Sequence, residues 1–280
     1  MAGLPNIRVS DQDREAAASQ GPQELLALAG EAARAAGQLL RERFEAGGRL
    51  GVSSKSTPTD LVSEADLASQ KLIRTMISGE RPDDGFLGEE EGAHSVGTSG
   101  LQWVVDPLDG TINYVYGIPL WCVSVAVRDA TGTLAGVIEC PLAGETFTAI
   151  RGGGPPLRNG AEIVAATPRA DTLAQALVAT GFAYDARWRA GQAEALPGLI
   201  GAARDIRRCG AAAIDLAWTA AGRFDAFFER TLNPWDVAAG VLLCECAGLE
   251  VHELAERPGL PGGILVAPRA FADELLELVG

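Results

Sequence analysis

The chain has 280 residues, of which 37 are acidic and 23 basic, so its formal net charge is −14, and 47% of its residues are hydrophobic. This apolar content is enough for a substantial core, in one large domain or in two smaller ones. An acidic surface repels the phosphates of nucleic acids and of anionic membranes, so we expect neither as a direct partner.

The N-terminal region lacks the basic start and apolar core of a secretory signal. The longest apolar stretches fall short of the roughly 20 residues that a membrane-spanning helix needs. The five cysteines form no C-x-x-C pair, which favours buried free thiols over disulfides or zinc. Only two histidines are present, which argues against a His-rich metal site or a Ser-His-Asp triad. We therefore expect a cytoplasmic protein.

Two helices are predicted in the first part of the chain. Residues 1–22 are polar and irregular, which predicts a flexible tail. From Gln23 to Phe44 apolar residues recur at helical spacing, and two glycines follow as a stop signal. After a loop, a second helix is predicted from about Ser63 to Ile77.

Strand patterns come next. Phe86-Leu87 is a short strand, and Trp103 to Asp106 is a buried strand candidate. Three further segments predict an antiparallel meander: CVSVAVRDA, TLAGVIEC and ETFTAI. Beyond the GGGPP and RNG turns, helical and strand segments alternate, with one helix predicted from Trp188 to Ala203. The other helices predicted in that part are AAAIDLAWTAAG, PWDVAAGVLLCECAG and a last one that ends at Leu278.

This order of elements predicts layered sheets and helices in one compact unit. The antiparallel half spans about 23–165, and the alternating half spans about 166–280. The two halves together form the predicted catalytic domain, residues 23–280.

The segment WVVDPLDGTINY, residues 103–114, is the most informative one for function. An apolar strand leads to Asp106, a proline then turns the chain, and Asp109 follows. Gly110 and Thr111 open a predicted helical turn, whose free N–H groups can bind an anion. Carboxylates for a metal and a cradle for phosphate thus occur within six residues. Taken alone, the segment is also compatible with an Asp-Pro turn and an Asp-capped helix.

Two more acidic segments lie at element boundaries. GEEE, residues 88–91, follows a short apolar strand, and NPWDVAAG places Asp236 in the first turn of a helix. Alone, the first is typical of a solvated loop and the second of a helix-dipole partner. Together with Asp106 and Asp109 they provide the oxygen ligands that hard cations such as Mg²⁺ prefer. Bound cations would also allow this acidic protein to accept a phosphate substrate.

Four sequence motifs together are specific for one superfamily of proteins. WVVDPLDGTINY and NPWDVAAG resemble the two signature motifs of the inositol monophosphatase family, and GEE and KSTPTDLVSEAD resemble its two upstream motifs. They occur in the family's order, and the similarity extends from about Gln23 to the C-terminus. The resemblance implies an α+β fold, a layered α-β-α-β-α sandwich that commonly forms a homodimer. It also implies hydrolysis of a small phosphate monoester with two or three Mg²⁺ ions, and inhibition by lithium.

The resemblance implies a role for each residue that matches the family's motifs. The implied metal ligands, of which the second is shared by two ions, are Glu89, Asp106, the carbonyl of Leu108, Asp109 and Asp236. The implied catalytic residues, which orient or activate the attacking water, are Glu89, Asp66 and Thr111. The implied substrate contacts are Asp109, Gly110, Thr111, Ala212 and Glu229.

The substrate is less closely specified. Glu229 matches a glutamate that binds substrate hydroxyls in inositol-specific members, and Ile112 stands where bacterial histidinol phosphatases of the family often have Lys. Both favour inositol monophosphate, but histidinol phosphate, fructose 1,6-bisphosphate, phosphoadenosine phosphate and a broad range of sugar phosphates remain alternatives. Ala211 departs from the Ser or Thr of many members, so one polar substrate contact is lost or replaced. Some bacterial relatives also act as interaction proteins of the transcription machinery, which leaves a regulatory role as a further alternative.

Overall fold

The computed structural model describes residues 21–47, 53–54, 61–62, 64–90, 92–164 and 170–280. The predicted tail lies outside these residues except for its last two, and Pro22 already begins the first helix. In the described part the helices are α1 Pro22–Glu45, α2 Glu64–Glu80, α3 Thr111–Tyr116, α4 Ala186–Ala193, α5 Leu196–Ala202, α6 Ala212–Ala220, α7 Pro234–Cys246 and α8 Ala272–Val279.

The strands fall into two larger sheets and one short hairpin pair. The strands are β1 Ser53–Ser54, β2 Leu61–Val62, β3 Gly85–Gly88, β4 His94–Ser95, β5 Gln102–Asp109, β6 Cys122–Asp129, β7 Gly132–Cys140, β8 Glu145–Ile150, β9 Leu157–Arg158, β10 Ala161–Glu162, β11 Leu177–Thr180, β12 Asp205–Arg207, β13 Ala226–Arg230, β14 Glu250–Leu254 and β15 Gly263–Ala267. The predicted meander is confirmed as β6, β7 and β8.

The eight-stranded sheet has the order β10-β9-β8-β7-β6-β5-β3-β4 and is antiparallel except where β3 pairs with β5. The five-stranded sheet has the order β12-β11-β13-β15-β14 and mixes parallel and antiparallel pairs. All strands of the larger sheet precede residue 163, and all strands of the smaller one follow residue 176. This partition supports the proposed division into two halves, whose boundary lies at residues outside the described ones.

Successive side chains of the central strand β5 pack into two different hydrophobic cores. On β5, Trp103 and Val105 pack with α1 and α2, whereas Val104 packs with α6 and α7. Since successive strand residues point to opposite faces, both faces of the large sheet are covered by helices. A third core joins the outer face of the smaller sheet to α5 and α8 through Leu199 and Leu275. The layers are therefore α-β-α-β-α, which confirms the predicted fold class.

Some details of the predicted elements are wrong. The single helix from Trp188 to Ala203 is in fact two helices, α4 and α5, because Pro197 lies in the first turn of the second. Proline has no N–H and clashes with the preceding turn, so it begins a helix more readily than it continues one. The strand β14 is also missing from the prediction, since this edge strand leaves most of its residues partly exposed. No helix of the described residues is long and apolar enough to cross a membrane.

Candidate active site

One face of α2 holds two of the loops that carry acidic residues. Ser69 Oγ donates a hydrogen bond to the carbonyl of Pro107 at 2.7 Å. Gln70 Oε1 accepts from the N–H of Glu90 at 2.9 Å. Both side chains are buried, so these hydrogen bonds replace the water that the loop backbone would otherwise require. The helix α2 thereby fixes the GEEE segment and the end of β5 relative to each other.

Asp66 lies one turn earlier on α2 and is fully buried. Its Oδ1 accepts a hydrogen bond from Thr111 Oγ1 at 2.8 Å, and the same hydroxyl lies 3.1 Å from the carbonyl oxygen of Leu108. A hydroxyl group has one proton and two lone pairs. With its proton directed to these acceptors, Thr111 can accept a hydrogen bond from a water molecule.

Asp106 is delivered by β5 and is 2% exposed. Its Oδ1 accepts from the N–H of Leu108 at 3.0 Å. The predicted strand end at Asp106 is wrong, because β5 continues to Asp109 after a register shift against β6. Gly110 follows with φ of 89°, and a Cβ there would lie 2.9 Å from the carbonyl oxygen of Leu120. Glycine is therefore required where the chain leaves the sheet for α3.

The GEEE segment is not a solvated loop in the part that is described. Glu90 is 4% exposed, and Glu89 is half-buried and lines the pocket discussed below. The N–H of Glu89 donates to the carbonyl of Val105 at 3.2 Å. Glu91 lies outside the described residues. The described glutamates thus lie against the end of β5, and Glu90 is buried although glutamates are mostly exposed.

Asp109 links the two halves of the molecule. Its Oδ2 accepts from the N–H of Ala213 at 2.7 Å, in the first turn of α6. Ala211 occupies the N-cap position of that helix and supplies no side-chain hydrogen bond. Asp109 thus caps α6 from another element, as a Ser or Thr at position 211 could have done locally. Ala212, an implied substrate contact, begins α6 and lines the pocket.

Asp236 has two roles at once. The N–H of Asn233 donates to Asp236 Oδ2 at 2.6 Å, and the Asn233 side chain accepts from the Asp236 backbone. These reciprocal hydrogen bonds form a capping box at the start of α7. Asp236 thus lies in the first turn of the helix, where the helix-dipole interpretation placed it, and it also lines the pocket.

Glu229 lies near the end of β13 and is half-buried. It faces Gly181, which directly follows the neighbouring parallel strand β11. A Cβ on Gly181 would lie 2.1 Å from the carboxylate carbon and from both carboxylate oxygens of Glu229. The glycine therefore makes the space that the Glu229 carboxylate fills.

The structure brings almost the whole predicted set together. With the exception of Asp66, which contacts the pocket through Thr111, the predicted residues line one pocket: Glu89, Asp106, Leu108, Asp109, Gly110, Thr111, Ala212, Glu229 and Asp236. The residues come from both sheets and from the starts of α3, α6 and α7.

The pocket carboxylates repel one another. Burial raises the pKa of Asp106 well above its usual value, and the charges of Glu89, Asp109 and Asp236 raise it further. Burial likewise raises the pKa of Asp109 to about 6, against the effect of the Ala213 N–H. The pKa of Asp236 is raised by burial and then, in spite of its cap, by Asp109 and Glu89. The pocket thus favours the binding of positive charge.

Magnesium fits this donor set. Among the described residues that line the pocket, Arg208 is the only basic one, so acidic side chains outnumber basic ones there. Among the described residues, no three or more His, Cys, Asp and Glu side chains are grouped so that they could hold a metal ion. Mg²⁺ does not require such a group, because it is usually bound by one or two carboxylates and keeps several waters. A bound Mg²⁺ ion would relieve the repulsion among the pocket carboxylates, and carboxylate and carbonyl oxygens are its preferred ligands.

We expect the metal-free protein to become less stable as pH rises from about 5 to about 7. An aspartate has a pKa of about 3.9 when unfolded, whereas burial raises that of folded Asp109 to about 6. Within this window the folded state binds more protons than the unfolded state, so the free energy of unfolding falls as pH rises. Since the metal binds ionised carboxylates, Mg²⁺ should raise the melting temperature more at pH 7 than at pH 5.

Thermal melts in EDTA and in MgCl₂ at both pH values test this expectation. Asp109→Asn serves as the control, because it should weaken the pH dependence of the metal-free protein. An EDTA-treated wild type that gains stability between pH 5 and pH 7 would contradict the interpretation.

Sequence reasoning missed several residues of this site. Ser69 and Gln70 lie three and four residues after Asp66, so their place on the same helix face was readable from the spacing. Tyr184 and Arg208 also line the pocket, but they lie in loops far away along the chain. No local pattern marks them. The first part of the KSTPTDLVSEAD motif lies outside the described residues.

Buried carboxylates around the start of a short helix are the groups that hard cations and phosphate would require. Comparison with known proteins agrees with this class. The model of the inositol monophosphatase family matches residues 22–279. The chain belongs to the inositol monophosphatase family and is a phosphoric monoester hydrolase.

Individual relatives are similar over most of their length. An inositol-1-monophosphatase from Rhizobium meliloti is 41% identical over 249 residues, which cover 87% of this chain and 91% of that protein. A Salmonella typhimurium protein named Nus factor SuhB is 40% identical over 225 residues, which cover 80% of this chain and 83% of that protein. The crystal structure of extragenic suppressor protein suhB from Bartonella henselae is 33% identical, with a TM-score of 0.82 over 91% of this chain and 98% of that one.

Proposed function

We propose that the chain hydrolyses inositol monophosphate to inositol and phosphate in a magnesium-dependent reaction. The observation that carries this proposal is the convergence of Glu89, Asp106, Asp109 and Asp236 in one pocket at the start of α3. The Rhizobium relative named inositol-1-monophosphatase supports the choice of substrate.

These four carboxylates and the carbonyl of Leu108 would hold two or three Mg²⁺ ions. The chemistry supplied by bound magnesium is Lewis-acid catalysis, which makes water a better nucleophile and stabilises charge on the phosphate and on the leaving oxygen. The position of Asp106 among three other carboxylates favours a shared ligand.

Thr111 and Asp66 would orient the attacking water. Thr111 Oγ1 donates to Asp66 Oδ1, so its lone pairs remain to accept a hydrogen bond from water. A proton leaving the water can then pass through the Thr111 hydroxyl to the Asp66 carboxylate. Glu89 lines the same pocket and is the second proposed group that positions this water.

The backbone of α3 would receive the phosphate. The first N–H groups of a helix have no acceptor within the helix, so those of Gly110 and Thr111 can donate to phosphate oxygens. Glu229 and the start of α6 at Ala212 line the same pocket and would contact the inositol hydroxyls. Homodimer formation and a cytoplasmic location complete the proposal and rest on the family resemblance.

Activity should require Mg²⁺ and disappear with EDTA, because a pocket of unbalanced carboxylates repels a phosphate ester. Lithium should inhibit at millimolar concentrations if the chain shares this property of the family. Phosphate release from four substrates with and without Mg²⁺ measures both the requirement and the substrate choice: inositol 1-phosphate, histidinol phosphate, fructose 1,6-bisphosphate and phosphoadenosine phosphate. Full activity in metal-free buffer would rule out the metal site.

A regulatory interaction remains the second candidate function. It is favoured by one observation, the name Nus factor SuhB of a relative that is 40% identical. A net charge of −14 makes direct RNA binding unfavourable but suits a basic protein partner. A pull-down that retains no stable partner would count against this role, and an intact phosphatase site would not.

A further inference from the structure

The segment between β11 and α4 forms one wall of the pocket. Phe182, Ala183 and Tyr184 line the pocket, as do Gly110 and Thr111 at the start of α3. Tyr184 is 42% exposed, so its ring reaches the pocket from the solvent side. An aromatic side chain at the mouth of a polar pocket offers an apolar face to whatever part of a substrate extends outward.

Tyr184 lines the same pocket as the carboxylates. Burial raises the pKa of Tyr184, and the charges of Asp109, Glu89 and Asp106 raise it further. The Tyr184 hydroxyl therefore stays protonated at neutral pH.

Side chains of α4 hold this segment in place. Gln192 Oε1 accepts from the N–H of Ala183 at 2.9 Å, and Gln192 is 8% exposed. Arg189 Nη1 donates to the carbonyl of Ala183 at 3.0 Å and to the carbonyl of Tyr184 at 2.7 Å. The helix itself begins with Asp185, whose side chain accepts from the N–H of Arg187 at 2.9 Å. Three backbone groups next to the pocket are thus fixed by two side chains of one helix.

We propose that Tyr184 is a specificity-determining residue that packs its ring against the ring of a cyclic polyol phosphate, and that Arg189 and Gln192 are positioning residues for it. The inference rests on the proposed function, since it concerns the leaving group of the same reaction. A saturated ring presents C–H groups to an aromatic face and hydroxyls to the phenol. A linear substrate such as glycerol 2-phosphate has no ring to pack, so it gains little from Tyr184.

The test compares Tyr184→Ala and Tyr184→Phe on inositol 1-phosphate and glycerol 2-phosphate. Loss of the ring should lower kcat/KM for the inositol ester by about ten-fold or more, in the range expected for a lost pocket contact. The glycerol ester should change by less than about two-fold, and Tyr184→Phe should retain most of the preference. Tyr116→Phe removes a hydroxyl from a side chain that is 68% exposed and should leave both activities unchanged.

The outcomes separate this inference from the proposed function. A wild type that does not hydrolyse inositol 1-phosphate overturns the proposed function. A wild type that hydrolyses it, together with a Tyr184→Ala variant that loses both activities equally or neither, overturns only the role of Tyr184.

Arg189→Met tests the positioning role. It should raise KM for inositol 1-phosphate several-fold with little change in kcat, and Arg189→Lys should restore part of the loss. The double variant with Tyr184→Ala should be no worse than Tyr184→Ala alone, because both act through one contact. Arg204→Met, on an exposed arginine outside the pocket, is the matched control. Equal losses in kcat on both substrates would mean that Arg189 has only a structural role.

Discussion

An Asp106→Asn variant is expected to keep its fold and to lose at least about nine-tenths of kcat, a loss of at least about 1.4 kcal/mol in transition-state stabilisation. Asp106 is 2% exposed and lies among Glu89, Asp109 and Asp236, where it is proposed to hold metal ions. Asparagine has the same shape but lacks the negative charge. Steady-state kinetics at saturating Mg²⁺ measure the loss.

Stability separates a catalytic effect from misfolding. In EDTA the Asp106→Asn protein should melt no lower than wild type, because the change removes a buried charge that three carboxylates repel. Asp129→Asn is the matched control. Asp129 forms an ion pair with Arg151, with 2.7 Å between Oδ2 and Nη2, and neither residue lines the pocket. This control should leave kcat unchanged. An Asp106→Asn enzyme with more than a tenth of wild-type kcat would show that this carboxylate is not a shared metal ligand.

A Glu229→Ala variant is expected to lose about ten-fold to a hundred-fold in kcat/KM on inositol phosphate and much less on an aryl phosphate. Glu229 lines the pocket, and burial followed by the charge of Asp215 raises its pKa. In either protonation state it can hydrogen bond to a polyol hydroxyl, and such bonds contribute about 1.5–3 kcal/mol when one partner is charged. An aryl ester offers no hydroxyl. Parallel kcat/KM measurements on the two substrates quantify the selective loss.

A Gly181→Ala variant should show the same selective loss on inositol phosphate, because it displaces the Glu229 carboxylate. The new methyl group would lie 2.1 Å from the Glu229 carboxylate, so the carboxylate must move although it is still present. Gly201→Ala, where a Cβ meets no atom within 4 Å, is the control and should be silent. No loss on either substrate would identify Glu229 as a bystander. Equal, severe losses on both would mean instead that it supports the metal ions.

Much of the fold was readable from the sequence because each element buries a face of its own. The apolar spacing from Gln23 to Phe44 predicted α1, and alternation predicted β6 to β8, almost to the residue. The family and the fold class followed from the motifs and are confirmed. The sequence pattern was ambiguous at the break between α4 and α5. Apolar residues keep their helical spacing across this break, and Pro197 is compatible with the start of a second helix.

The sequence alone predicted which residues carry the chemistry, because carboxylates next to glycine turns stand out locally. Their roles in catalysis stay predictions. Only the tertiary structure shows which hydrogen bonds fix these residues and which other residues line the pocket. Asp109 caps α6, which begins 103 residues later, and Tyr184 reaches the pocket from the segment after β11. Both contacts join residues that are distant along the chain. Only the packing of the two sheets around α6 and α7 brings them together, and no local pattern encodes that packing.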